Sequence, residues 1–184
     1  MWKLKLDGKP GAKTWPGGLT LHRPGFQGRV LGIDPSLRGT GLALLEFVPG
    51  RQPVLLRCLT VRVAPRLSMA HCLGEIHRAV AAFVADFDPA HVALEQTIFV
   101  QNFQTAQILG AARGAAIAAA ALQQKAIFEY APLRVKLAVV GQGRASKDQM
   151  ARTVMAMLGH GRTMGFDEAD AAGVALCHAL TWRG

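Results

Sequence analysis

The most restrictive stretch of this chain is Val30-Leu31-Gly32-Ile33-Asp34-Pro35, a short apolar run that ends in an acid and a proline. Apolar runs of this length, bounded by breakers, read as buried strands. Pro35 has no N–H to give to a ladder, so the strand ends at Asp34. A carboxylate at the end of a buried strand is costly unless something positive compensates it. Any fold of this chain must therefore bring a partner to Asp34.

The pattern around that stretch predicts the rest of the architecture. Strands are expected at 30–33, 41–47 and 54–61, joined by Gly- and Pro-bearing links short enough for antiparallel turns. A helix follows over 68–87, because Met69, Leu73, Ile76, Val80, Phe83 and Phe87 make one apolar stripe, and Asp88-Pro89 ends it. A fourth strand at 91–94 runs into Glu95. An alanine-rich helix over 103–123 carries Gly110 and Gly114 four residues apart, and a strand at 127–130 leads to a short helix through Lys136. Ser146 and Gln149 have capping-box spacing, and Gly159 stops the helix they open. A last helix runs from about Asp167 to about Trp182. Three meandering strands followed by alternating helices and strands describe an α/β layer fold with a mixed five-stranded sheet flanked by helices. The chain divides into a basic N-terminal arm, 1–28, and one domain, 29–184. The arm sets Lys3, Lys5, Lys9 and Lys13 against Asp7 alone and intersperses Trp2, Trp15 and Phe26. Its aromatics either stack on bases or pack on the domain, or else the segment is a loosely ordered terminus.

Charge narrows the class of partner. The 184 residues carry a net charge of +9 although only 18% are charged, so the domain is expected to meet a polyanion. Hydrophobic residues at 51% exclude a disordered chain. Cys58, Cys72 and Cys177 are odd in number and widely spaced, which argues against disulfides or zinc and fits the reducing cytoplasm. The apolar run 114–122 is far too short for a membrane span, and no secretory signal opens the chain.

Against this basic background the acids stand out. If the strands ending at Asp34 and Glu95 are parallel neighbours, their carboxylates lie ~5 Å apart on one edge of the sheet, where α/β folds collect ligands. Asp167 and Asp170 share a face at the start of the last helix. Carboxylates gathered in this way stay ionised together only beside a dication, and all-oxygen ligands suit Mg²⁺ or Mn²⁺. Two such ions can activate water and stabilise a leaving oxygen in phosphodiester cleavage. Each acid has a plainer reading. Asp167 can be an N-cap with Asp170 favoured by the helix dipole, and Asp34 can be a turn residue. Glu95, at the end of four strand residues, resists one.

These blocks resemble the RuvC family of Holliday-junction resolvases, nucleases with a ribonuclease H-like fold. The likeness rests on the stretch around Asp34, on Leu94-Glu95-Gln96 with Asn102 and Gly110-Ala111-Ala112-Arg113-Gly114, on Phe128-Glu129-Tyr130 with Val135-Lys136 and Lys147, and on Asp167-Glu168-Ala169-Asp170. It implies a homodimeric, Mg²⁺-dependent endonuclease that makes paired nicks in four-way junction DNA, working with a branch-migration motor complex. It implies Asp34, Glu95, Asp167 and Asp170 as metal ligands, Lys136 and Lys147 beside the scissile phosphate, and Arg113 on DNA or in a salt bridge. Lys147 stands in the first turn of its helix, where it opposes the dipole, so helix stability does not account for it. The Gly110/Gly114 pair suits either a subunit interface or packing on the chain's own sheet.

Three features depart from the family pattern. Ser36 replaces a common glycine in the turn after Asp34. Ile98, followed by Phe99, occupies the place of an aromatic that wedges into the junction. The basic leader has no counterpart. Competing readings are a nuclease acting on other branched DNA or hybrids, a non-catalytic branched-DNA-binding dimer, and a kinase-like phosphotransferase. The last rests on Gly39-Thr40-Gly41 as a phosphate loop, but the chain lacks room for a second lobe.

Overall fold

A computed structural model describes residues 25–97, 102–159 and 163–184. Three strands come first, β1 (Gly28–Asp34), β2 (Gly39–Phe47) and β3 (Val54–Arg62). They are followed by α1 (Met69–Phe87), β4 (His91–Glu95), α2 (Phe103–Ala121), β5 (Ala126–Tyr130), α3 (Pro132–Val140), α4 (Lys147–Leu158) and α5 (Phe166–Thr181). The sheet order is β3-β2-β1-β4-β5, antiparallel among the first three strands and parallel from β1 through β4 to β5. This is the expected mixed five-stranded sheet.

Local chemistry sets the helix ends. Ser68 caps α1 by accepting the His71 N–H (3.2 Å), and Asp88 closes it in the left-handed region. The capping box of α4 forms in both directions, Gln149 N–H to Ser146 Oγ (3.2 Å) and Ser146 N–H to Gln149 Oε1 (2.8 Å). Helix α3 is longer than the sequence pattern suggests, because Pro132 starts it and it runs on to Gly141 (φ 78°).

Side chains alternate across the sheet, so each strand feeds two cores. Leu31, Ile33, Leu42, Leu44, Val92 and Leu94 are buried on one face against α1 and α2. Val30, Ala43, Leu45 and Ala93 are buried on the other against α5, with α3 and α4 packed around that helix. Helix α5 is buried over most of its length and is built of small residues, including Ala169, Ala171, Ala172, Gly173 and Ala175. Its approach to the sheet is closer than side chains allow. A Cβ on Gly32 would collide with the Ala171 carbonyl, and one on Gly41 with the Asp167 carbonyl.

Helix α2 is covered on one side only. Ala112, Ala116, Ala119 and Ala120 are buried, while Phe103 and Leu122 are each 76% exposed. Nothing lies within 4 Å of where a Cβ on Gly110 or Gly114 would stand, so this pair does not pack on the chain's own sheet. Among the described residues the three cysteines are free thiols, and no helix is long and apolar enough to cross a membrane. Phe26 is 6% exposed and packs on Phe47, His91, His178 and Trp182, so the folded core reaches back to the edge of the basic leader.

Candidate active site

The alternation that buries Val30 under α5 also turns Asp34 to the α5 face, and in β4 it turns Glu95 there with Ala93. The parallel register pairs Ile33 with Leu94, so Asp34 and Glu95 follow side by side on adjacent strands. Gly41 is the cross-strand partner of Asp34. Because Gly41 has no side chain, the first turn of α5 lies directly over it, and this lowers Asp167 and Asp170 onto the same edge. The Asp167 carboxylate reaches over Gly39, with Oδ2 3.3 Å from where a Cβ there would stand. Gly165 is the N-cap of α5 and its N–H is taken by Glu168 (3.2 Å), so capping does not occupy Asp167.

The turn that aims Asp34 is held by its own side chains. Ser36 Oγ accepts the Gly39 N–H (3.2 Å), the Ser36 N–H donates to Thr40 Oγ1 (3.1 Å), and the Thr40 hydroxyl donates back to the Ser36 carbonyl. Thr40 is fully buried. The serine thus closes the turn. The glycines on either side of Thr40 serve the passage of α5, which removes the ground for reading this segment as a phosphate loop.

Two lysines face the acids. Lys147, exposed in the first turn of α4, has its Nζ 3.8 Å from Asp170 Oδ2. Lys136 projects from α3 near enough to favour the ionised forms of Glu95 and Asp170. The opposing effects are larger. Burial first, and the charges of Asp170 and Asp167 next, push the Asp34 carboxyl up to about 6. Burial and the charges of Asp34 and Asp170 push Glu95 to about 7, and Asp170 is raised mainly by burial. The four acids therefore feel one another as a group. Among the described residues no three His, Cys, Asp or Glu side chains form a ready-made cation cage. The acids are gathered on one face but not closed around a point, as mutual repulsion dictates. The donor set is entirely carboxylate oxygen, which fits a hard dication of the Mg²⁺ class and not zinc.

The model of the family described as crossover junction endodeoxyribonuclease RuvC matches residues 30–178, a span that runs from β1 to α5 and includes all four acids. The chain belongs to the RuvC family. It is 42% identical over 152 residues to the crossover junction endodeoxyribonuclease RuvC of Pelodictyon phaeoclathratiforme, covering 82% of this chain and 79% of that one. It is 41% identical over 151 residues to the protein of the same name from Halorhodospira halophila, covering 82% and 89%. Thermus thermophilus RuvC, solved in complex with a Holliday junction substrate, superposes with a TM-score of 0.78 at 31% identity, over 84% of this chain and 94% of that one. The architecture is thus the ribonuclease H-like fold of RuvC.

The remaining sequence-predicted positions divide within this RuvC fold. Arg113 forms an ion pair with Glu129 between α2 and β5. Glu129 alternates with Phe128 and Tyr130, so the pair lies on the sheet face opposite Asp34. Ile98 and Phe99 lie outside the described residues. The sequence marks Thr40 only as part of a phosphate-loop pattern, whereas the structure gives it to the turn after Asp34. His178 was not singled out, and its signal, a histidine inside an apolar helix, is not specific until the sheet register is known.

Proposed function

We propose that two copies of this RuvC-family endonuclease resolve a Holliday junction, each hydrolysing one phosphodiester at the Asp34, Glu95, Asp167 and Asp170 face. The convergence of those acids on one sheet edge, over a glycine that admits α5, carries the reading. The acids would hold Mg²⁺, with Mn²⁺ as a substitute. A bound dication would supply an activated water and counter-charge for the leaving oxygen. The chain's own part is to gather four carboxylates on one face, and to present Lys147 and Lys136 beside them, where cations meet the phosphate that the acids alone would repel. Arg113, tied to Glu129, takes a supporting role on the α2 side rather than a place at the scissile bond.

The dimer is supported by the open side of α2. Gly110 and Gly114 leave a channel that another helix can enter, and Phe103 and Leu122 stand exposed on the same element. Two sites related by a two-fold axis suit two opposed strands. In this reading residues 29–184 form the nuclease domain, and the basic arm 1–28 adds sequence-independent affinity for DNA. Ile98 or Phe99 supplies the apolar wedge at the branch, and a branch-migration motor complex is the partner that delivers the junction. The work takes place on cytoplasmic DNA, an environment that suits three free thiols.

The test is a fluorescent four-way junction incubated with protein and graded Mg²⁺. Paired nicks symmetric about the branch point are expected. Equal cutting of linear duplex, or no cutting in Mg²⁺ or Mn²⁺, rules the reading out.

A further inference from the structure

A second polar site lies at the other end of α5. There a pocket of about 600 Å³ is lined by Phe128 and Tyr130 of β5, Arg134 of α3, and Thr181, Trp182 and Arg183 at the end of α5. That volume is within the range of small-ligand sites. The aromatic wall is rigid. Phe128 and Trp182 meet edge to face with centroids 5.1 Å apart, and His178 packs against both. The Tyr130 hydroxyl is fixed 2.7 Å from His178 Nδ1. The Arg134 guanidinium lies 5.1 Å from the centroid of the Tyr130 ring, and the Arg134 carbonyl is held by the Cys177 thiol (3.8 Å). Arg134 and Arg183 are exposed, and among the described residues neither has a carboxylate within 4.0 Å. Two solvent-facing guanidinium groups beside an aromatic wall suit a ligand with an anionic group and a flat ring.

We propose that this pocket takes one unstacked nucleotide of the DNA substrate, with its base against the Phe128–Trp182 wall and its phosphate between Arg134 and Arg183. The inference rests on the nuclease reading and extends it to a new contact. Distance supports it. Eleven helical residues separate Asp170 from Thr181, which is ~16 Å along α5, or about five base steps of a DNA strand. Branched DNA offers unpaired bases within that range, while intact duplex keeps its base faces stacked. A purely acidic peptide would use the arginines but leave the aromatic wall without a role.

The experiment titrates the full-length chain with 5′-phosphorylated tetrathymidylate and follows the Trp182 indole N–H by NMR. The expected result is a saturable shift of that signal, and about tenfold weaker binding in the Arg134→Ala/Arg183→Ala pair. In a second arm, affinity for a four-way junction is measured in Ca²⁺ over a range of salt. The alanine pair should lower the salt slope by about one, for the one phosphate the arginines share, and Arg134→Lys/Arg183→Lys, which keeps the charge, should retain it. No shift at Trp182, a shift produced by an acidic peptide but not by the oligonucleotide, or an unchanged salt slope in the alanine pair overturns the proposal. The oligonucleotide arm needs no cleavage. A chain that binds tetrathymidylate at Trp182 yet cuts no junction therefore refutes the nuclease reading and keeps the pocket, and the reverse result does the opposite.

Discussion

The two ends of α5 treat ionisable groups in opposite ways. At its first turn, Asp167 and Asp170 join Asp34 and Glu95, half-buried acids crowded on one face and only partly offset by Lys147 and Lys136. Near its last turn, His178 is fully buried, yet both ring nitrogens are engaged, Nε2 2.9 Å from His91 Nδ1 and Nδ1 2.7 Å from the Tyr130 hydroxyl. Phe26, Phe128 and Trp182 enclose it. The first end stores a cost that two lysines offset in part and an added dication would relieve. The second is satisfied from within and anchors the helix. One helix therefore carries the stability of the domain at one end and spends some of it at the other, and the two ends should respond oppositely to mutation and to pH.

The largest effect is expected from Asp34→Asn. Junction cleavage should fall about a thousandfold or more, because the variant lacks an anionic oxygen where counter-charge is needed. The same variant should keep junction binding in Ca²⁺ and unfold at a higher denaturant midpoint near neutral pH, by ~1 kcal/mol, since one repelling charge is gone. Joint loss of folding and binding would show instead that Asp34 is a structural acid. Next comes Gly41→Val. Its side chain would enter the space of the Asp167 carbonyl and lift α5 off the sheet. A stability loss of about 3 kcal/mol is expected by denaturant titration, with cleavage lost as well, and a neutral outcome would break the claim that glycine sets this crossing.

A pH titration of stability distinguishes the ends directly. Burial, with the neighbouring His91, lowers the His178 pKa to about 4. The unfolded state then binds the proton more readily, so this group's contribution is complete above about pH 6.5 and is lost as pH falls toward 4, ~3 kcal/mol in all. Asp34 and Glu95 are raised to about 6 and about 7, so in metal-free protein their cost grows as pH climbs from about 4 to 7. His178→Gln should destabilise the fold by about 2 kcal/mol at neutral pH and reduce the fall in stability on the acid side, to which the lowered His91 also contributes. Asp34→Asn should instead flatten the decline toward neutral pH. Chemical denaturation at stepped pH without Mg²⁺ reads both, and the same profile in both variants would erase the contrast. The smallest effect is expected from Lys147→Ala, about tenfold slower cleavage at saturating junction with little change in affinity, measured in single turnover.

Most of the fold was legible because its signals are local. The Ser146/Gln149 box and the apolar stripe of α1 each act within a few residues, and the structure reproduces them. The strand ends at Asp34 and Glu95 were legible for the same reason, since Pro35 fixes the first and four strand residues lead into the second. The length of α3 was missed, because its apolar face shows only once α5 is beside it. The leader boundary was harder to read, because Phe26 follows a stretch without periodicity and is bound to the core only by tertiary contacts.

What the sequence determined by itself is the chemistry available: a basic chain, four acids at element ends, and lysines on the helices between them. The tertiary structure decided which of these groups meet. Strand register turns Asp34 and Glu95 to the same face, and the bare backbone of Gly41 lets α5 bring Asp167 and Asp170 to them. It also assigned Arg113 to Glu129, Gly110 and Gly114 to the open side of α2, and His178 to a closed chain of partners. Those outcomes depend on which face of a strand or helix a residue occupies. A shift of one residue in register reverses that face, and no pairing within a few residues of sequence fixes it.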